Sequence, residues 1–358
     1  MSSFDTIVIG GGLSGLILTH LFHKEGHNVT LLESREALGG RFRRPQPQLP
    51  YASSNLDFIP ATSEQLAALE WLRSISPLSL TWKTQEHQAL AMSEGQWKPF
   101  LGFGQSEHLS LTELSFFNQA SEVVLDQGLE QVVRSLCEQL PIAAQTRNEV
   151  LSFNVADGRV TSCLVNGDKT LEASNFVFCP PPQYLNNMFT GDDLPSKHRT
   201  RLAKSVAWTV LVLGLEHQNE LQGGSEIRFL LSAAKDFEPV VGRARGKTSK
   251  WMILIDAEKA EDHEYIGSCI KHIKRLVKRA YPESEPLIKE NIYVQPNGFG
   301  HISLKTKSPV MFSELSNLYL AHHGLSTLSG NMACVHSAQC VWNEFKGVDQ
   351  VLSQVEPG

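Results

Sequence analysis

The stretch that most constrains what this chain can fold into is Phe4 to Glu33. Phe4 to Ile9 is a short apolar run rich in β-branched residues, the pattern of a buried strand. It leads directly into Gly10-Gly11-Gly12-Leu13-Ser14-Gly15, which fits G-x-G-x-x-G. An apolar-periodic stretch follows, Leu16 to His23, with Gly26 placed as a helix stop. A second strand, Asn28 to Leu32, ends on Glu33, eighteen residues after Gly15. This is the order of a βαβ unit that binds an adenine dinucleotide. Gly10 allows the tight turn, Gly12 lets backbone N–H groups approach a pyrophosphate, and Gly15 lets helix and strand pack closely. Leu13 and Ser14 then lie in a first turn whose dipole faces the phosphates. Glu33 stands where a carboxylate bonds a ribose hydroxyl, against an expected spacing of about 20. Glycines also serve ordinary βαβ turns, but here strand, helix and acid all fall at the right distance.

What sharpens the reading is the continuation, Ser34-Arg35-Glu36-Ala37-Leu38-Gly39-Gly40-Arg41. With it the chain resembles the flavin amine oxidase clan: monoamine and polyamine oxidases, protoporphyrinogen oxidase, phytoene desaturases and renalase-like proteins. Their fingerprint carries the same acid followed by a Gly-Gly-Arg. The resemblance implies that Arg41 reaches the pyrophosphate of FAD, and it favours FAD over NAD. No cysteine lies at a recognisable flavin-linking motif, so the FAD is expected to be noncovalent. Implied cofactor contacts in this segment are Gly10, Gly12, Leu13, Ser14, Gly15, Glu33, Ser34, Arg35, Gly40 and Arg41. The implied fold class is α/β: a Rossmann-type FAD-binding domain with a β-meander, plus a substrate domain with a mixed or antiparallel sheet and flanking helices.

At 358 residues the chain is long for one core and suggests two domains. The expected division is 1–50, 118–184 and 301–358 for the FAD-binding domain, and 51–117 and 185–300 for the substrate domain. A net charge of −6 gives no basis for nucleic-acid binding. The six cysteines are scattered with no C-x-x-C pair, so neither a metal centre nor a disulfide framework is expected. Ile7 to Phe22 is largely apolar but lacks a basic flank, and no other stretch approaches the roughly 18 apolar residues of a membrane span. The expectation is a soluble, cytoplasmic protein acting on a small molecule.

After Arg41 come Arg43 and Arg44, then Pro45, Pro47 and Pro50, which stop regular structure. The basic pair either steers an anionic substrate or forms a solvated loop face. Leu56 to Pro60 resembles the clan's segment that returns beside the flavin ring, with Ile59 and Pro60 where glycine is usual. Glu64 to Ser74 has the apolar face of a helix, and strand candidates follow at Leu78 to Lys83 and Trp97 to Gly102. Gln131 to Gln139 is an amphipathic helix. Glu149 to Asn154, a hairpin at Asp157-Gly158, Val160 to Val165, a turn at Gly167-Asp168 and Thr170 to Ala173 make a β-meander. Asn175 to Cys179 is a separate buried strand ended by prolines. By the resemblance, the backbone of Val150 contacts the adenine.

Ala207 to Leu215, Ile227 to Ser232 and Lys250 to Asp256 are apolar strands of a second, antiparallel sheet. Arg243 to Lys247 reads as an exposed basic turn. Asp262 to Tyr281 is a long amphipathic helix, whose basic residues are either a partner surface or a solvated face. Near the end, Asn317 to Ala321 is a strand and Gly330 to Ala338 opens a helix. In the clan this helix points its N-terminus at the flavin pyrimidine, which places Asn331 and Met332 at the ring. Where relatives carry Gly-Asp or Gly-Glu after the strand, this chain has His322 and His323. They are the titratable candidates for acid–base work, or else they satisfy backbone at a strand end. The lysine that assists oxygen chemistry in amine-oxidising relatives is matched by Thr209 or a neighbour. Two functions follow from the resemblance. One is an FAD-dependent oxidoreductase carrying out two-electron (hydride) oxidation of a small substrate at flavin N5. The other is an FAD-binding protein of the same fold with little or no turnover. An NAD-dependent enzyme is a third, which Gly39-Gly40-Arg41 argues against.

Overall fold

In a computed structural model, the described residues are 3–42, 56, 58–104, 110–191, 193–205, 208–231, 236–300 and 314–347. The Arg43–Arg44 pair, the prolines that follow it and Asp57 lie outside the described residues.

The opening run forms as its pattern dictates. Ser3–Ile9 is a strand, Leu13–Lys24 a helix and Val29–Glu33 a second strand, and the two strands pair in parallel. Ile7 and Val8 are fully buried on opposite faces, because helices cover one side of the sheet and a second apolar layer the other. This first sheet has seven strands. In order they are Gln145–Thr146, Val29–Glu33, Ser3–Ile9, Lys169–Phe178, Arg159–Val165 and Val150–Ala156, with Leu318–Leu320 beside the far end of Lys169–Phe178.

Lys169–Phe178 corrects the sequence reading, which split it in two. It is one ten-residue strand. Its first residues pair antiparallel with Arg159–Val165, while Phe176 to Phe178 pair in parallel with Leu318–Leu320 on the same edge. Its other edge pairs in parallel with Ser3–Ile9. One strand thus joins the parallel dinucleotide half to the meander. The hairpin at Asp157-Gly158 forms with both residues at positive φ, 49° and 70°. The next turn is Asn166-Gly167, at 54° and 88°, one residue earlier than the sequence suggested.

The second sheet also has seven strands, in the order Leu287–Phe299, Trp208–His217, Thr248–Asp256, Val240–Arg245, Ile227–Leu230, Leu90–Ser93 and Gln96–Pro99. All neighbours are antiparallel except Ile227–Leu230 with Leu90–Ser93. Of the strand candidates before residue 103, Trp97 to Gly102 overlaps the strand Gln96–Pro99 but runs past its end, and Leu78 to Lys83 meets only the start of Trp82–Glu86. The strands there are Trp82–Glu86, Leu90–Ser93 and Gln96–Pro99, and the first of them pairs with Ser121–Leu125. One face of the second sheet, carrying Leu211, Leu213 and Leu215, packs on Ile273 and Val277 of the helix His263–Ala280. Asp262 caps that helix by accepting from the Tyr265 N–H at 2.9 Å. The other face, with Val210, Val212 and Met252, packs on Leu56, Phe58 and Phe117.

Arg243 to Lys247 is only partly a turn. Gly246, at φ 56°, reverses the chain, but Arg243 lies inside Val240–Arg245 and is 7% exposed. Gly242 precedes it because a Cβ there would meet the Trp251 ring at 2.2 Å. Finally, Met332–Phe345 packs against both the opening helix and Ser63–Ile75. Among the described residues, no helix is long and apolar enough to cross a membrane.

Candidate dinucleotide site

The opening helix begins at Gly12, whose extended backbone makes it the N-cap, and no side chain caps it. The amides of its first turn, where Leu13 and Ser14 stand, therefore keep their affinity for an anion. Gly15 is required by packing: a Cβ there would stand 2.0 Å from the Gly10 carbonyl oxygen. Gly40 returns to the same loop, and its Cβ would come 2.9 Å from Gly12 Cα. The Gly39 N–H also donates to the Gly11 carbonyl at 2.8 Å.

Glu33 ends the second strand and is 7% exposed. Its Oε2 accepts from the Gly11 N–H at 2.7 Å, and its Oε1 accepts from the Arg35 N–H at 2.9 Å and the Ser34 hydroxyl at 3.4 Å. These bonds fix the carboxylate beside the glycine loop, and Oε2, which accepts from Gly11, retains a lone pair for a further donor. Gln145–Thr146 pairs beside Leu32 and Glu33, and the Asn148 and Arg147 N–H groups donate to the Glu33 and Arg35 carbonyls at 2.9 Å. This brings Val150, 4% exposed, into the same apolar cluster as Leu32. The residues read from the sequence for the adenosine end thus converge.

The other end is built by the closing helix. Its N-cap Asn331 is 5% exposed and makes no side-chain capping bond, and Met332 opens the first turn, 1% exposed. Cys334 joins this turn to the fingerprint: its carbonyl accepts from the Ser14 hydroxyl at 2.9 Å, and Arg41 Nη2 donates to its Sγ at 3.0 Å. Arg41 Nη1 donates to the Gly298 carbonyl at 2.9 Å. Expected on a pyrophosphate, Arg41 here bridges the closing helix and the second sheet. The starts of two helices and one guanidinium therefore share a small volume, an arrangement that favours a dianion. An uncapped glycine loop, a fixed carboxylate and this cationic end form a donor set that fits an adenine dinucleotide.

His322 and His323 follow Leu318–Leu320, with ring centroids 4.0 Å apart. His322 Nδ1 accepts from the Gly324 N–H at 3.1 Å, which leaves the proton of the neutral ring on Nε2. Burial, then the nearby Arg41 charge, pushes its pKa down to about 3. Burial, His322 and Arg41 push His323 well below its ordinary value. Both rings are therefore neutral in this arrangement, where titration near neutrality was expected.

Between the closing helix and the second sheet lies an apolar cavity of about 20 Å³, lined by Leu56, Phe58, Phe116, Phe117, Met252 and Phe299 with Arg41, Gly330 and Asn331. Leu56 and Phe58 supply the wall there; Ile59 faces the core of the first sheet and Pro60 bridges to Glu122. Thr209 does not reach this cavity. It pairs with Ile255, on the face that packs under His263–Ala280, while its neighbour Val210 shares the cavity face with Met252. The strand alternation that places Thr209 away from the cavity is readable only once the register is known.

The comparisons with known proteins agree with this geometry. Residues 8–61 match the family described as NAD(P)-binding Rossmann-like domain. A curated relative, flavin-containing amine oxidase B of Sus scrofa, is 33% identical over 104 residues, 28% of this chain and 19% of the relative. The matched stretch thus spans about a fifth of that relative's length. Among solved structures, cyclohexylamine oxidase from Brevibacterium oxydans covers 97% of this chain and 99% of its own, with a TM-score of 0.69 at 12% identity. An oxidoreductase from Methanosarcina mazei covers 95% and 100%, with a TM-score of 0.67 at 12% identity. The whole chain therefore has their fold. The opening of the chain is thus similar to the flavin-containing amine oxidases, and the fold of the whole chain is that of these solved oxidoreductases.

Proposed function

We propose that this protein is an FAD-dependent oxidoreductase of the amine oxidase type, oxidising a small molecule by two-electron, hydride-type transfer at flavin N5. The observation that carries the reading is the convergence of the two uncapped helix starts at Arg41, with the Glu33 carboxylate fixed at the far end of the same glycine loop. The FAD, held noncovalently, supplies the electron-accepting ring.

The rest is the work of this chain. Glu33 accepts the ribose hydroxyls, and the backbone at Ser34, Arg35 and Val150 borders the adenine. Gly10 turns the chain at positive φ while its N–H donates to the Leu32 carbonyl; Gly12, Leu13, Ser14, Gly15 and Gly40 bring backbone N–H groups to the pyrophosphate, and Arg41 neutralises it. Asn331 and the Met332 N–H stand at the ring, where a helix start stabilises negative charge. His322, neutral and with a proton on Nε2, acts as a hydrogen-bond donor, and His323 packs against it with its ring tilted by 46°. Neither serves as a proton shuttle at neutral pH. The apolar wall excludes water from the reacting face. In this reading residues 1–50, 118–184 and 301–358 hold the cofactor, and 51–117 and 185–300 shape the substrate side.

The test is extraction of the cofactor from purified protein, with identification by mass spectrometry. FAD released by denaturation without proteolysis is the expected result. Recovery of NAD, or protein that stays colourless after incubation with FAD, would contradict it.

A further inference from the structure

Trp208 carries a buried hydrogen-bond donor that the protein leaves unused. The residue is 5% exposed, and its Nε1–H has no acceptor among the described residues. The indole nitrogen can only donate, so no change of tautomer relieves it. Most buried N–H groups in folded proteins are paired, because an unpaired one forfeits its hydration for nothing. A donor held this way calls for an acceptor that arrives from outside the chain.

The place of Trp208 in the fold points to that acceptor. Trp208 opens the strand Trp208–His217, one residue before Thr209. Thr209 lies on the face under His263–Ala280, so alternation puts Trp208 on the other face with Val210 and Val212. There it belongs to the cluster that includes Leu56, Phe58 and Phe117, whose side chains are apolar. Its cross-strand partners are Asp256 and Phe299. Asp256 turns its carboxylate to the chain that follows, accepting from the Glu258 N–H at 3.0 Å. Phe299 lines the space beside Arg41, Gly330 and Asn331, at the start of the closing helix.

Oxidised flavin has acceptors on both edges of its pyrimidine ring, N1 and O2 on one and O4 and N5 on the other. In the reading above, the start of Met332–Phe345 stands at the ring, where it stabilises charge at N1 and O2. The second sheet is the opposing wall, and Trp208 is on the face it turns to the ring. We propose that Trp208 is a flavin-contacting residue whose Nε1–H donates to the O4–N5 edge of the ring, so that this donor is satisfied only when FAD is bound. The inference rests on the FAD reading above. A fixed donor at that edge favours the reduced form of the ring, and an indole does so without titrating.

The experiment uses full-length protein with FAD as the probe and compares the wild type with Trp208→Phe, which keeps a ring and loses the N–H. Apoprotein is titrated with FAD, and the unfolding temperature is measured with and without it. Loss of one neutral hydrogen bond to the ligand should weaken FAD binding about three- to tenfold. The FAD-induced rise in unfolding temperature should shrink accordingly. A packing role alone would lower the unfolding temperature of apo and loaded protein alike and leave the rise intact. The wild type supplies a second measurement, which stands even where Trp208→Phe does not fold. Of the six indole N–H resonances in nitrogen-15-labelled protein, one should move downfield as FAD is added, because a free donor gains an acceptor. Unchanged FAD affinity in a folded Trp208→Phe, or a wild type in which no indole resonance moves downfield, overturns the proposal. Wild-type protein that binds no FAD overturns the reading on which the proposal rests, which separates the two failures.

Discussion

Arg41 and Gly298 are 257 positions apart in sequence, yet the Arg41 guanidinium donates to the Gly298 carbonyl at 2.9 Å. This bond ties the end of the dinucleotide fingerprint to the edge strand of the second sheet. The same side chain reaches Cys334 on the closing helix. Replacing Arg41 with methionine should weaken FAD binding by one to two orders of magnitude, since a charge-assisted bond to an anion contributes about 1.5–3 kcal/mol. Arg41→Lys should recover only part, because an ammonium lacks the planar fork. Fluorescence titration of apoprotein with FAD gives the constants. Equal affinity for all three proteins would remove Arg41 from the site.

Glu33 is expected to distinguish dinucleotides from other anions. Glu33→Gln keeps the size but loses the charge, and its single amide oxygen can accept from only one of the Gly11 and Arg35 N–H groups that now use separate carboxylate oxygens. Its affinity for FAD should fall about tenfold or more, with little change in affinity for inorganic pyrophosphate. Parallel calorimetric titrations of the two ligands would show whether the loss is confined to the ribose end.

Gly15→Ala should be structurally costly. The added Cβ would lie 2.0 Å from the Gly10 carbonyl oxygen, which is backbone and cannot swing aside. Overpacking of this kind costs about 1–3 kcal/mol or more. The chemical denaturation midpoint should drop, whereas Gly26→Ala, which has open space around it but a φ of 85°, should cost less.

Burial of neutral histidines predicts a pH effect of definite sign. His322 has a folded pKa near 3 against an ordinary value of 6.5. Between those values the unfolded chain binds the proton and the folded chain does not, so stability falls as pH drops below about 6.5 and is unaffected above it. The slope for one such group is about 1.4 kcal/mol per pH unit. His322→Asn retains an acceptor for the Gly324 N–H and should shrink the difference in unfolding temperature between pH 7.5 and pH 5. An unchanged difference would show that the ring is already charged or solvated in the folded state.

The dinucleotide half was legible in the sequence because its signals are local. Strand, glycine loop, helix and acid follow one another within thirty residues, and each is dictated by nearby backbone geometry. The second sheet was less legible. Leu287–Phe299 lies at its edge and mixes exposed Ile288 and Ile292 with charged residues, so it carries no clean alternation. Arg243 looked like part of a solvated turn because its partner, Glu122, is 121 positions away. The face on which Thr209 lies depends on register, which no single strand reveals. Arg41 could be placed in the fingerprint, but its contacts with Gly298 and Cys334 arise only from the packing of the chain's two ends.

The central claim is that the glycine loop and the closing helix hold one flavin dinucleotide between them. Equilibrium titration of the apoprotein with FAD, monitored at the flavin absorbance, tests this most directly. The account predicts saturation at one FAD per chain with a perturbed, structured flavin spectrum, and much weaker binding in Glu33→Gln and Arg41→Met. Absence of saturable FAD binding by the folded wild-type protein would contradict it.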